Sequence, residues 1–174
     1  MNKTKRMVFL SFLVSIALVI YIVEAQIPVL FPGIKLGLAN IVSLAAMILL
    51  GWKDALLIML LRTLLGSMFG GSMSAFMFSI AGGLLSNIVM IILYKYFKNS
   101  MSLWTISICG AIFHNIGQLL IASFVVQDFR IYIYLPVLLL SAVITGYFIG
   151  LSTKLLIAHL NKIPMFRDII SKQT

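Results

Sequence analysis

Uninterrupted apolar stretches run the length of this chain, broken at short intervals by charge, glycine or proline. A helix crosses a bilayer's hydrocarbon core with about 20 apolar residues, in a range of roughly 17–25. Six segments match or approach that length: 7–27, 34–51, 54–69, 75–94, 103–126 and 135–158. They are continuous runs, not dyad alternations over about ten residues, which predicts helices and not a barrel. The second and third are joined by Gly51-Trp52-Lys53-Asp54, too short for anything but a tight turn between antiparallel helices. After the first comes "PVLFPG" at 28–33, whose two prolines and glycine predict an ordered, non-helical loop. The expected fold is all-α: one integral membrane domain, 1–174, built as a six-transmembrane-helix bundle.

Composition strengthens this picture. Of 174 residues, 62% are hydrophobic and 10% charged, with a mean hydropathy of +1.15. A soluble domain of this size has nowhere to hide so much apolar surface. The formal net charge of +9 does not point to nucleic acid, because the basic residues gather between apolar runs, where they set topology. With a cytoplasmic N-terminus, Lys3, Lys5, Arg6, Lys53, Lys95, Lys98, Lys154, Lys162, Arg167 and Lys172 share one side, and Lys35 and Arg130 the other. That bias predicts a multi-pass cell-membrane protein with both termini cytoplasmic and with loops near 28–35, 67–74 and 127–134 facing outward. The run from Met7 to Val23 is longer than the roughly 7–15 residues of a signal-peptide core, so it reads as a membrane helix. Cys109, the single cysteine, excludes an intrachain disulfide and reads as a small buried residue.

Costly polar side chains then stand out within the apolar runs. In "GAIFHNIGQLL", at about 100° per residue, His114, Asn115 and Gln118 share a helix face with Ser107, Gly110, Ala111 and Gly117. Ile108, Cys109, Ile112, Phe113, Ile116, Leu119 and Leu120 make the opposite, lipid-like face. The polar face is expected to point into the bundle or a cavity. Arg62 lies near the centre of its segment, where even a lenient scale charges about 2.5–3.5 kcal/mol. Its permanent charge demands a partner. Glu24, at the outer end of the first helix, is the likeliest internal one among four acids; a ligand anion is the competitor. Lys35 either snorkels to the interface or meets ligand, and Asn40 and Asn87 are interhelical glue or ligand contacts. The glycine-rich "GSMFGGSMS" offers backbone N–H groups to an anion or caps a pocket.

Small residues recur at helix-packing spacing in Ser11-x-x-x-Ser15, Ser79-x-x-x-Gly83, Gly82-x-x-x-Ser86 and Ala142-x-x-x-Gly146-x-x-x-Gly150. Contacts within one bundle are the plain reading; Ser11 and Ser15 are the best candidates for docking another protein. There is no phosphate-binding G-x-x-x-x-G-K-[ST] loop, no Cys/His cluster and no aspartate-rich magnesium motif. Neither catalysis nor a resident metal or cofactor is expected.

The stretch "PGIKLGLANIVSLAAMILLGWKDALLIMLLRTLLGSMFGG", with "SIAGGLLSNIVM" and "GAIFHNIGQLL", resembles the Gx transporter family, also labelled heptaprenyl diphosphate synthase component I. That family is similar to the substrate-binding (S) components of energy-coupling factor (ECF) transporters, six-helix bacterial proteins that capture micronutrients. The resemblance implies a small-molecule substrate, a lipid bilayer, a transmembrane coupling subunit and two ATPase subunits as partners. S components dock through a small-residue A-x-x-x-A motif on the first helix; here Ser11 and Ser15 replace the alanines and preserve smallness. The expected site comprises Glu24, Lys35, Asn40, Arg62, Asn87, His114, Asn115 and Gln118, with loops 28–36 and 67–74 as a lid. The ligand would be a small anionic micronutrient or an isoprenoid-, quinone- or flavin-related metabolite. The alternative is a noncatalytic membrane subunit tied to polyprenyl diphosphate synthesis or to quinone- or flavin-linked extracellular electron transfer.

Overall fold

The computed structural model describes residues 3–27, 35–70, 73–163 and 166–167, and no strand forms among them. Among the described residues six α-helices follow in order: α1 (Lys3–Glu24), α2 (Asn40–Leu49), α3 (Trp52–Gly70), α4 (Met73–Phe97), α5 (Leu103–Val126) and α6 (Leu135–Leu160). A short 3₁₀ helix, Phe129–Tyr134, leads into α6. α1, α4, α5 and the continuous stretch Phe129–Leu160 are long and apolar enough to cross a membrane. The chain is a multi-pass membrane protein.

Local chemistry accounts for several helix ends. Ser102 caps α5, its hydroxyl accepting from Thr105 N at 3.3 Å. Gln127 closes the same helix in the left-handed region, at φ 54°. Asp128 Oδ1 accepts from Arg130 N at 2.8 Å and opens the 3₁₀ turn. Pro136 stands at the start of α6, where its missing N–H costs no helical bond.

α2 departs from the sequence expectation. Apolar character runs from 34 to 51, yet the helix has ten residues, about 15 Å, half of a hydrocarbon core. Gly37, at φ 81°, and Gly51, at φ 102°, turn the chain on either side of it. Ile41 apart, every α2 residue is buried, so this short helix fills the bundle's interior instead of crossing a bilayer. α3, at 19 residues, carries Lys53, Asp54 and Arg62 and completes the antiparallel pair with α2.

α5 is the central packing element, lying against α4 on one side and α6 on the other. A Cβ on Gly117 would sit 2.9 Å from Ala81 O, and one on Gly82 would sit 2.7 Å from His114 O. On the α6 side, a Cβ on Gly146 would come within 2.6 Å of Ile108 Cα, and one on Gly150 within 2.3 Å of Trp104 Cα. The small-residue spacings in α4 and α6 thus serve contacts inside this bundle, where backbones must touch for dispersion to hold them. Ser11 and Ser15 differ: both are exposed on α1, their hydroxyls turned back at 3.0 Å onto Met7 O and Ser11 O.

Two loop expectations change. The 127–134 segment is not an open loop: its 3₁₀ turn buries Ile131 against Phe78, Leu119, Ala122 and Leu138. Leu119, assigned to the lipid face by its angle, is therefore fully buried. In the expected 67–74 lid, residues 67–70 complete α3 and 73–74 form the first turn of α4, so this stretch is largely helical. Residues 71–72 and the 28–34 part of the other expected lid lie outside the described residues.

Candidate functional site

α1 presents Tyr21 and Glu24 one helical turn apart, both buried. α3 brings Arg62 and Thr63, α4 brings Ser79 and Ser86, and α5 brings His114 and Gln118 at i, i+4. The non-helical segment before α2 lays Lys35 and Gly37 across them, and Asn40 opens α2 itself. Tyr21, Glu24, Lys35, Gly37, Arg62 and Thr63, with Ser79 and His114, surround a chamber of about 10 Å³, the space of a single water molecule.

The hydrogen bonds form an almost continuous net. Arg62 Nη2 donates to Asn40 Oδ1 at 2.7 Å, and Asn40 Nδ2 donates to Ser86 Oγ at 3.4 Å. Gly37 N donates to Glu24 Oε1. Lys35 N donates to Gln118 Oε1 at 2.8 Å. Tyr21 OH donates to Ser79 Oγ at 3.2 Å, and the Lys35 ammonium rests 3.0 Å over the centre of the Tyr21 ring. The Gln118 oxygen is engaged by Lys35 N, so its Nε2 donates to His114 Nε2 at 2.5 Å. An accepting Nε2 places the imidazole proton on Nδ1.

One donor is left over. Arg62 Nε is buried without a hydrogen-bond partner, whereas His114 Nδ1 lies against Gly82 of α4. A group left so forfeits about 1–3 kcal/mol, and a charged one forfeits more. Of the two partners the sequence left open for Arg62, Glu24 does not form an ion pair with it; among the described residues the ion pair is Arg6–Asp54, at the other end of the bundle. The site thus gathers one carboxylate and two cationic side chains around unfilled hydrogen-bonding capacity.

Of the residues expected from sequence, Glu24, Lys35, Asn40, Arg62, His114 and Gln118 converge here. Asn87 does not: its amide donates at 2.9 Å to Gly83 O, one turn back in α4. Asn115 is turned to α6, donating at 2.7 Å to Leu138 O. Tyr21, Thr63, Ser79, Ser86 and Gly37 escaped the sequence reading. Tyr21 was detectable, because it stands one turn before Glu24 on the same helix face. Ser79 and Ser86 were visible only as parts of packing spacings, and nothing in the sequence marked Gly37 as a neighbour of this cluster.

The sequence pattern of the family described as heptaprenyl diphosphate synthase component I matches residues 13–156, most of the chain. The chain belongs to that family. Its fold is that of a solved structure described as "Structure and mechanism of the S component of a bacterial ECF transporter". The two superpose with a TM-score of 0.72 at 23% identity, over 92% of this chain and 98% of the other. No curated protein matches.

Proposed function

We propose that this member of the heptaprenyl diphosphate synthase component I family is the substrate-binding component of an ECF-type uptake system for a small anionic metabolite. One observation carries the reading: buried Arg62 keeps its Nε unpartnered at the wall of a polar chamber inside an otherwise apolar bundle. A guanidinium in that position is stabilised by an incoming carboxylate or phosphate oxygen. Gln118 and Asn40 hold the His114 and Arg62 side chains in place.

As described, the chamber admits one water, so binding requires the Lys35–Gly37 segment to lift. Its attachments are two backbone donors, to Gln118 and Glu24, and the Lys35–Tyr21 stacking. An anion that engages Lys35 from the chamber replaces that stacking with a stronger charge contact. The segment then closes over the ligand. Isoprenoid-, quinone- and flavin-related acids fit the charge pattern.

Release is coupled to partners outside this chain: a transmembrane coupling subunit and two ATPases. The exposed face of α1 around Ser11 and Ser15 supports this part of the reading. With both hydroxyls bonded back to the helix, the strip offers a low, smooth surface for another helix. The site faces outward if the lysine-rich end is cytoplasmic.

The family's description favours one second reading, a noncatalytic membrane subunit that accompanies a polyprenyl diphosphate synthase. Native mass spectrometry of gently extracted protein separates the two. Co-purification of two ATPases and a coupling subunit with a small anion is the expected result. A prenyl synthase in their place overturns the transport reading.

A further inference from the structure

The charges that line the polar chamber do not cancel. Arg62 and Lys35 bring two cations and Glu24 one carboxylate, each residue at most 7% exposed. His114 adds none. Its Nε2 accepts from Gln118 Nε2, because the Gln118 oxygen is taken by Lys35 N, and an imidazole that accepts is neutral. The segments that enter the chamber bring no further charge. Between Glu24 and Lys53 the sole charged side chain is Lys35, and between Arg62 and Lys95 there is none.

A carboxylate alone in an apolar bundle neutralises itself by taking up a proton. Glu24 has two cations at the same chamber and the Gly37 N–H donating to it, both of which favour its charged form. The three ionised side chains therefore leave one positive charge in excess, in surroundings where an uncompensated charge is expensive. Arg62 Nε, the donor without a partner, is where that excess can be met.

We propose, resting on the reading of this chamber as an anion site, that it selects its guest by charge count: it takes a molecule bearing a single carboxylate in preference to phosphate monoesters and diphosphates. One carboxylate brings the chamber to neutrality, with an oxygen accepting from Arg62 Nε. A phosphate monoester carries about −1.5 to −2 charges near pH 7 and turns the excess negative, against Glu24. Glu24 is then a specificity-determining residue, because it lowers by one the number of negative charges that two buried cations can receive.

Thermal unfolding of the full-length protein in detergent tests this with three probe anions at equal ionic strength. Acetate and methanesulfonate carry one charge and sulfate two; methanesulfonate and sulfate share a tetrahedral shape, so their comparison isolates charge from size. Each response is read as the difference from Arg62→Met, which removes general salt effects. Wild type is expected to respond to acetate and methanesulfonate at concentrations about tenfold or more below those that sulfate requires, the effect of one misplaced unit charge in a site of low dielectric. Glu24→Gln reverses that order. Lys35→Gln leaves Arg62 and Glu24 in balance and weakens the response to all three; its place on a non-helical segment makes it the variant to use if Glu24→Gln does not fold. Sulfate matching or exceeding methanesulfonate in wild type overturns the selection by charge count and leaves the anion site standing, as does an unchanged order in Glu24→Gln. No wild-type response beyond that of Arg62→Met overturns the anion site itself.

Discussion

Arg62 and Glu24 share a chamber without joining hands: the guanidinium donates to Asn40 Oδ1 at 2.7 Å, and the carboxylate accepts from Gly37 N. A charged pair brought into an apolar bundle gains most when it closes on itself. Here the opposite charges stay apart and each holds a different piece of backbone or amide. That separation leaves Arg62 Nε open to a guest.

Replacing Arg62 with methionine therefore has opposite effects on two measurements. Ligand affinity falls by about 1.5–3 kcal/mol, roughly tenfold to 150-fold, the worth of a charge-assisted hydrogen bond. The melting temperature of the ligand-free protein in detergent stays level or rises, because a buried and partly unsatisfied cation has gone. A fall in melting temperature with affinity intact would make Arg62 a structural rivet.

Gly37→Ala is expected to harm both stability and binding. The residue sits at φ 81°, and an added Cβ would lie 3.0 Å from both His114 Cδ2 and Asn40 Nδ2. The left-handed conformation alone costs a non-glycine residue about 1–2 kcal/mol. Thermal unfolding reads the first loss; titration with the co-purified ligand reads the second, since the shifted segment no longer reaches Glu24 and Gln118.

Asn115 and Gln118 stand close on α5 but separate in function. Asn115→Ala removes a bond to Leu138 O on α6 and lowers stability by about 0.6 kcal/mol, the average for such bonds in membrane bundles, with affinity preserved. Gln118→Ala frees both Lys35 N and His114 Nε2 and weakens ligand binding. Equal effects of the two on affinity would undo the division made by the side-chain directions.

On α1, Ser11→Leu/Ser15→Leu is expected to leave ligand binding by the isolated protein untouched while abolishing uptake by cells and co-purification of the ATPases. Both positions are exposed and remote from the chamber, so added bulk blocks a helix–helix approach without reaching the site. Normal uptake by this variant would remove α1 as the docking face.

Part of this arrangement was legible from residue order. The α5 stripe of His114, Asn115, Gln118 and the small residues beside them is buried as its angular positions require, and Phe113 and Leu120 are exposed on the other side. Leu119 broke the pattern because α5 has a further neighbour, the 3₁₀ turn, whose folding over it no periodicity in α5 announces. Asn115 shows the same limit more finely. Its angle placed it on the polar face, but about 100° from His114 was enough to aim it at α6 instead of the chamber.

What residue order settled by itself was the solvent and the building blocks: apolar runs of spanning length can satisfy their backbone in lipid only as helices, so class and approximate boundaries follow from local composition. Pairing was another matter. Whether Arg62 meets Glu24 or Asn40, and whether residues 35–39 continue a helix or fold over the chamber, depends on distances between segments far apart in the chain. Those distances come from glycine contacts between α4, α5 and α6 and from the turn at Gly37, and only the assembled bundle brings them about.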